Sequence, residues 1–150
     1  MSAETDLIKL YSTRILGLAA DIPYRSRLDA PDGSAKRRSP LCGSTVTVDV
    51  ALEDGVITAF GQDVKACALG QASAAVLGHN IIGLREQAVQ TARDQLQALL
   101  KSDGPPPDAP FADLEVLGAA AEYKNRHASI MLAFDATLAA FAQARQTQIA

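Results

Sequence analysis

The chain has 150 residues, of which 48% are hydrophobic, 21% charged and 5% aromatic, with a formal net charge of −3 and two cysteines. A domain of this length buries roughly 70% of the surface its unfolded chain exposes, so its core does not depend on a disulfide. The acidic balance argues against nucleic acid as a general partner, and no apolar run reaches the length needed to cross a bilayer.

The first residues, MSAETDLIKLYSTR, lack the basic region, apolar run and cleavage site of a signal peptide. With no membrane segment either, the expected location is the cytoplasm. There, two cysteines are expected as thiols or ligands rather than as a structural bridge. One domain over 1–150 is expected.

From Asp6 to Ala20, the residues Leu7, Ile8, Tyr11, Ile15 and Leu18 recur at helical spacing, which predicts an amphipathic helix. Asp21 to Pro40 is polar, with Pro23, Pro31, Gly33 and Pro40. It reads as a turn between two short extended pieces, Arg25–Leu28 and Ala35–Arg38. The basic run Lys36, Arg37, Arg38 reads either as a solvated strand or as a docking patch. Thr45 to Leu52 alternates cleanly: Val46, Val48, Val50 and Leu52 point one way, Thr45, Thr47 and Asp49 the other. Glu53-Asp54-Gly55 makes a tight turn and Val56 to Val64 returns, giving an antiparallel hairpin. Ala66 to Asn80 is a helix rich in small residues. Leu84 to Leu100 is a stronger one, with Leu84, Ala88, Ala92, Leu96, Leu99 and Leu100 on one side, ended by Gly104 and the prolines that follow it. Phe111 to Leu117 reads as a short helix. Asn125 to Ala144 is the last long one, with Ile130, Phe134, Leu138 and Phe141 as its apolar stripe. The predicted fold is α+β: a small antiparallel three-stranded sheet packed against about five helices.

Two residues stand out chemically. Cys42, in SPLCGST, lies on a turn before the hairpin, and Cys67 lies at the start of the helix after it. A returning hairpin brings its ends to one edge, so the two thiols can converge. Cys67 also feels a helix N-terminus, which favours the thiolate. Lys65 is a neighbour that could add to this effect. Gly43 allows close backbone approach to whatever the sulfur holds.

The stretch SPLCGSTVTVDVALEDGVITAFGQDVKACALGQASAAVLG resembles the core of the U-type iron–sulfur cluster assembly scaffolds of the ISC, SUF and NIF systems. Their pattern is N-P-x-C-G-D before a hairpin, then G-C-A-I-S-x-A-S-A-S opening a helix, then R-x-x-C-A-x-L-A-W near the C-terminus. FADLEVLGAAAEYKNRHASIMLAFDA fits the third segment, with Arg126, Leu132, Ala133 and Phe134 in register, and LEVLGAAAEYKNR fits the SUF-type branch best. The resemblance implies a non-enzymatic scaffold. It would receive sulfur from a cysteine desulfurase, bind a 2Fe–2S cluster or zinc through three cysteines and an aspartate, and deliver the cluster to downstream acceptor proteins. Cys42 and Cys67 fall on the first two cysteines and become the metal ligands and sulfur-acceptor candidates.

The chain departs from that pattern at two ligand positions. Ser44 stands where the family has its aspartate, and Ser129 where it has its third cysteine. Ala128 takes the place of the histidine of ISC-type members, and His127 is one residue further back. Residues two apart on a helix differ by about 200° in direction, so His127 and Ser129 are not expected to face one pocket. Hydroxyls are poor ligands at neutral pH, so the strong ligand set shrinks to two thiols. These could share a cluster across a homodimer, with a partner, or with a small thiol. Iron, zinc and no metal at all stay open on the sequence alone. So do three roles: a scaffold with altered ligands, an interaction or sulfur-acceptor module without a cluster that regulates a desulfurase, and a dithiol redox protein.

Overall fold

The computed structural model describes residues 12–40 and 43–149. Cys42 and the first part of the predicted N-terminal helix lie outside the described residues. The elements run α1 (Thr13–Ala19), β1 (Gly33–Arg38), β2 (Thr45–Glu53), β3 (Val56–Lys65), α2 (Ala68–Asn80), α3 (Glu86–Lys101), a 3-10 helix (Ala112–Ala120) and α4 (Lys124–Ile149). The strands form one antiparallel sheet in the order β1-β2-β3. The architecture is α+β, as expected.

The hairpin turn is made by Asp54 and Gly55, both at positive φ (52° and 79°), the conformation a two-residue turn needs to match the twist of its strands. On the inner face, Val46, Val48 and Val50 are at most 1% exposed and join Ile57 and Phe60 in the core. α4 packs against β1 and β2, and α2 and α3 pack on α4 in turn. This position explains why α4 departs from the predicted single stripe. Ile130, Met131, Leu132, Ala133, Phe134, Ala136, Ala140 and Phe141 are all buried, so apolar residues surround most of the helix. A helix enclosed on several sides has no wide polar face to show in its sequence.

The close seat of β1 on α4 depends on Gly33. A Cβ there would collide with the Ala140 carbonyl oxygen and lie 2.9 Å from the Ala144 nitrogen, both backbone atoms that cannot swing aside. Gly33→Ala is therefore expected to lower stability by about 2–3 kcal/mol, read as a lower urea midpoint; an unchanged midpoint would contradict the packing.

The outer face of the sheet differs from the simple alternation at Asp49. It lies on the face opposite the valines, as predicted, yet it is 0% exposed. Arg27 donates to its two carboxylate oxygens from Nε (2.6 Å) and Nη2 (3.0 Å), and the Leu28 N–H (3.0 Å) and the Ser34 hydroxyl complete the shell. Burial alone would raise the pKa of this carboxyl, but the Arg27, Ser34 and Leu28 donors and the Arg27 charge outweigh it and hold the pKa below the ordinary carboxylate value. The same contacts explain why Arg25–Leu28 is not a strand: its polar groups satisfy a side chain instead of a ladder. The segment passes close to β3. The Gln62 N–H donates to the Tyr24 carbonyl at 2.8 Å, and a Cβ at Gly61 would collide with the Ser26 carbonyl oxygen. It thereby shields part of an edge strand.

Candidate functional site

Cys67 is the N-cap residue of α2, with extended backbone (φ −67°, ψ 171°). The hairpin sets it there, because β3 ends at Lys65 and α2 begins at Ala68. The thiol is half-buried and forms no disulfide. Its pKa is lowered. Burial pushes it up, but the Gly70 N–H, the Ser129 hydroxyl, the Leu69 N–H and the Arg126 guanidinium together favour the thiolate more strongly.

Ser129, in the second turn of α4, is 1% exposed, and its Oγ lies 3.6 Å from the Cys67 sulfur. The same hydroxyl donates to Ser44 Oγ at 3.0 Å. Ser44 is itself buried, immediately before β2. Three positions from separate parts of the sequence thus form one line of contacts: Ser44, Ser129, Cys67. Gly70 makes it possible. A Cβ there would lie 2.8 Å from Ser129 Oγ, so a larger residue would push α2 and α4 apart beside the sulfur.

Hydroxyls rotate, so the direction of this line depends on the state of the sulfur. When Cys67 carries its proton, its S–H can donate to Ser129 while Ser129 donates to Ser44. When Cys67 is a thiolate, Ser129 can turn its proton to the sulfur and accept one from Ser44.

Backbone hydrogen bonds join Ser39 to Gly43 and Ser44. The Ser39 N–H donates to the Ser44 carbonyl at 2.8 Å, and the Gly43 N–H to the Ser39 carbonyl at 3.0 Å. Gly43 holds φ +70°, a left-handed conformation that favours glycine. Cys42 itself falls outside the described residues.

Among the described residues the sulfur's hydrogen-bond partner is Ser129, and not the neighbours His127 and Lys65 named from sequence. His127 is buried, and its Nε2 is 3.0 Å from both the Ala120 and the Ala121 carbonyl oxygens. Two acceptors require that Nε2 bear a proton, so this nitrogen closes the end of the 3-10 helix. Lys65 is exposed. The Arg126 guanidinium does favour the thiolate, although the sequence assigns it no chemical role beyond its register with R-x-x-C. Its signals are that register and the spacing Arg126–Ser129, a single helical turn that puts both on the side facing Cys67.

A groove of about 650 Å³ between α3 and α4, lined by Arg93, Lys101, Lys124, His127, Met131 and Asp135 among others, lies away from Ser129 and does not include Cys67. Among the described residues no three His, Cys, Asp or Glu side chains come together as a metal-binding group. Cys67 is therefore the strong soft ligand that the described part of the pocket offers, with two hydroxyls beside it.

No protein-family model matches the chain. The N-terminal part of a nitrogen-fixing NifU-like protein from Brucella abortus, a solved structure, shares 42% sequence identity and superposes with a TM-score of 0.91 over 94% of this chain and 98% of that one. The chain belongs to the U-type iron–sulfur cluster assembly scaffold family. Within this family it is also similar to the iron–sulfur cluster assembly scaffold protein IscU of Thermotoga maritima, at 26% identity over 94 residues, 63% of this chain. That match spans 66% of the Thermotoga protein, just under two thirds of its length. A putative SUF-system scaffold from Fervidobacterium islandicum superposes with a TM-score of 0.80 at 16% identity, over 89% of this chain and 98% of that one, which supports the fold. In this U-type chain Ser44 and Ser129, the two residues that the resemblance sets against an aspartate and a cysteine, are in hydrogen-bonded contact.

Proposed function

We propose that this U-type chain works in cytoplasmic iron–sulfur cluster assembly, receiving sulfur from a cysteine desulfurase at Cys67 and holding or passing on the nascent cluster through Cys67 and Cys42. The observation that carries this reading is the half-buried Cys67 thiol at the N-cap of α2, 3.6 Å from the Ser129 hydroxyl, a setting that favours the thiolate. A thiolate at that position can attack the outer sulfur of a donor persulfide. A new S–S bond forms to Cys67, the donor's S–S bond breaks, and the donor cysteine leaves as its thiolate. Ser129 and Arg126 stabilise the negative sulfur before the attack. The protein contributes binding and delivery rather than turnover of its own, so it is not an enzyme under this reading.

The cluster is cargo. Two thiolates supply half of the four ligands that a cluster or a tetrahedral zinc site takes. The remainder would come from a second copy, an acceptor protein or a small thiol. A second reading, a sulfur acceptor that never holds a cluster, draws support from the Ser44–Ser129 bond, because each hydroxyl already has a partner of its own kind.

Incubation with a cysteine desulfurase and cysteine, followed by mass spectrometry, is expected to add one sulfur atom to Cys67 in wild type and in Cys42→Ala, and none in Cys67→Ala. Anaerobic reconstitution with iron and sulfide then divides the readings. Charge-transfer absorbance lost in either cysteine variant favours the scaffold; a colourless product with sulfurated Cys67 favours the acceptor. Neither sulfur nor iron on the wild-type chain would overturn both.

A further inference from the structure

We infer that the uncovered half of the outer sheet face is the seat for an acidic surface of the sulfur donor, an assignment that rests on the desulfurase reading above. Cross-strand partners share a face, and the register gives two adjacent rows: Arg38–Thr45–Lys65 and Lys36–Thr47–Asp63. Both lie opposite the buried valines. Lys36, Arg38, Asp63 and Lys65 are exposed, and the two threonines between them are partly so. Three cations and one anion therefore ring a small hydroxyl-bearing floor, on a chain whose net charge is −3. Among the described residues, none of the three cations forms an ion pair.

Basic side chains on an edge strand can serve merely to block edge-to-edge pairing. That accounts for Lys36 and Arg38 taken alone. It does not account for the open face of the central strand between them and Lys65. The neighbouring row of the same face, at Asp49 and Gly61, is covered by the 24–28 segment, so the sheet is closed at one end and open at the other. The open end is the one where β3 leads into Cys67. Lys65 is two residues before Cys67, and Thr45 directly follows Ser44, whose hydroxyl bonds Ser129. A donor that brings a persulfide to Cys67 comes to this end of the sheet, and an acidic surface on it would match the charge of the two rows. Such complementarity acts chiefly on the association rate.

The test is the association rate of a cysteine desulfurase with wild type and with Lys36→Glu/Arg38→Glu/Lys65→Glu, at about 0.05 M and about 0.5 M salt. The charge-reversed chain is expected to associate at least about tenfold more slowly at low salt, with a flatter salt dependence and correspondingly slower sulfur loading of Cys67. Lys101→Glu/Lys124→Glu, in the α3–α4 groove, is the charge control and should stay within about twofold of wild type. Matching thermal midpoints confirm that the variants fold; if the glutamates disturb the sheet, the triple glutamine variant takes their place with the same expected direction. Equal rates for wild type and the triple variant would overturn the inference and leave the Cys67 reading standing. Failure of wild type to bind the desulfurase at all would overturn both. A wild-type dimer that becomes monomeric in the triple variant would assign the face to a second copy and also overturn it.

Discussion

Ser44→Asp/Ser129→Cys is expected to bind zinc more than about a hundredfold more tightly than wild type, and to retain a reconstituted iron–sulfur cluster through gel filtration. The geometry is already suited to it. Ser129 Oγ is 3.6 Å from the Cys67 sulfur. Tetrahedral zinc with Zn–S bonds of about 2.3 Å holds its sulfurs roughly 3.8 Å apart, so a thiol in place of this hydroxyl needs little rearrangement. Gly70 leaves the room, since it presents no Cβ to the 129 side chain. Ser129→Cys alone should supply most of the gain, because it adds a thiolate, whereas Ser44→Asp adds a harder oxygen ligand. Binding should strengthen as pH rises through the thiol range, since each ligand must lose its proton. Competition against a chromophoric chelator measures the affinity. An unchanged affinity in the double variant would mean that these positions do not form a ligand pocket.

Asp49→Ala is expected to destabilise the chain by about 3 kcal/mol at neutral pH, one of the larger costs available to a single side chain here. The carboxylate is 0% exposed while the Arg27 side chain is 56% exposed, so the variant strands the Leu28 N–H and the Ser34 hydroxyl rather than a buried charge. The sign of the pH effect follows from the direction of the shift. The folded-state pKa of Asp49 is depressed. Its contribution is fully present above the unfolded carboxylate value of about 4 and is lost as pH falls through the lower folded value. Urea unfolding at a series of acidic pH values should therefore show a flatter acid limb for Asp49→Ala than for wild type. Parallel curves would remove Asp49 as the cause.

Much of this architecture is legible in the residues. The alternation at Val46, Val48 and Val50 and the Asp54-Gly55 turn specify the hairpin. The break at Gly104 and the prolines after it ends α3 close to where the pattern stops. The placement of Cys67 at a helix start also follows from local signals, since a strand pattern gives way to a run of helix formers. Less could be read from α4, whose burial on several sides hides the periodicity that marks a surface helix. Asp49 escaped too: alternation gives its face, but not the segment that covers that face. Arg27 lies far from Asp49 along the chain, and no local pattern joins them.

By itself, then, the amino-acid sequence determined the order of elements, the hairpin, the helix start that carries Cys67, and the presence of hydroxyl side chains at positions 44 and 129. These are local matters, governed by periodicity, turn chemistry and residue type. The tertiary structure alone decided that Ser44, Ser129 and Cys67 touch, that Arg126 acts on the sulfur while His127 caps the 3-10 helix, and that one end of the sheet stays open and basic. Each of these depends on how closely α2, α4 and the strands approach one another. That distance is set by packing around Gly33 and Gly70, which no stretch of sequence states on its own.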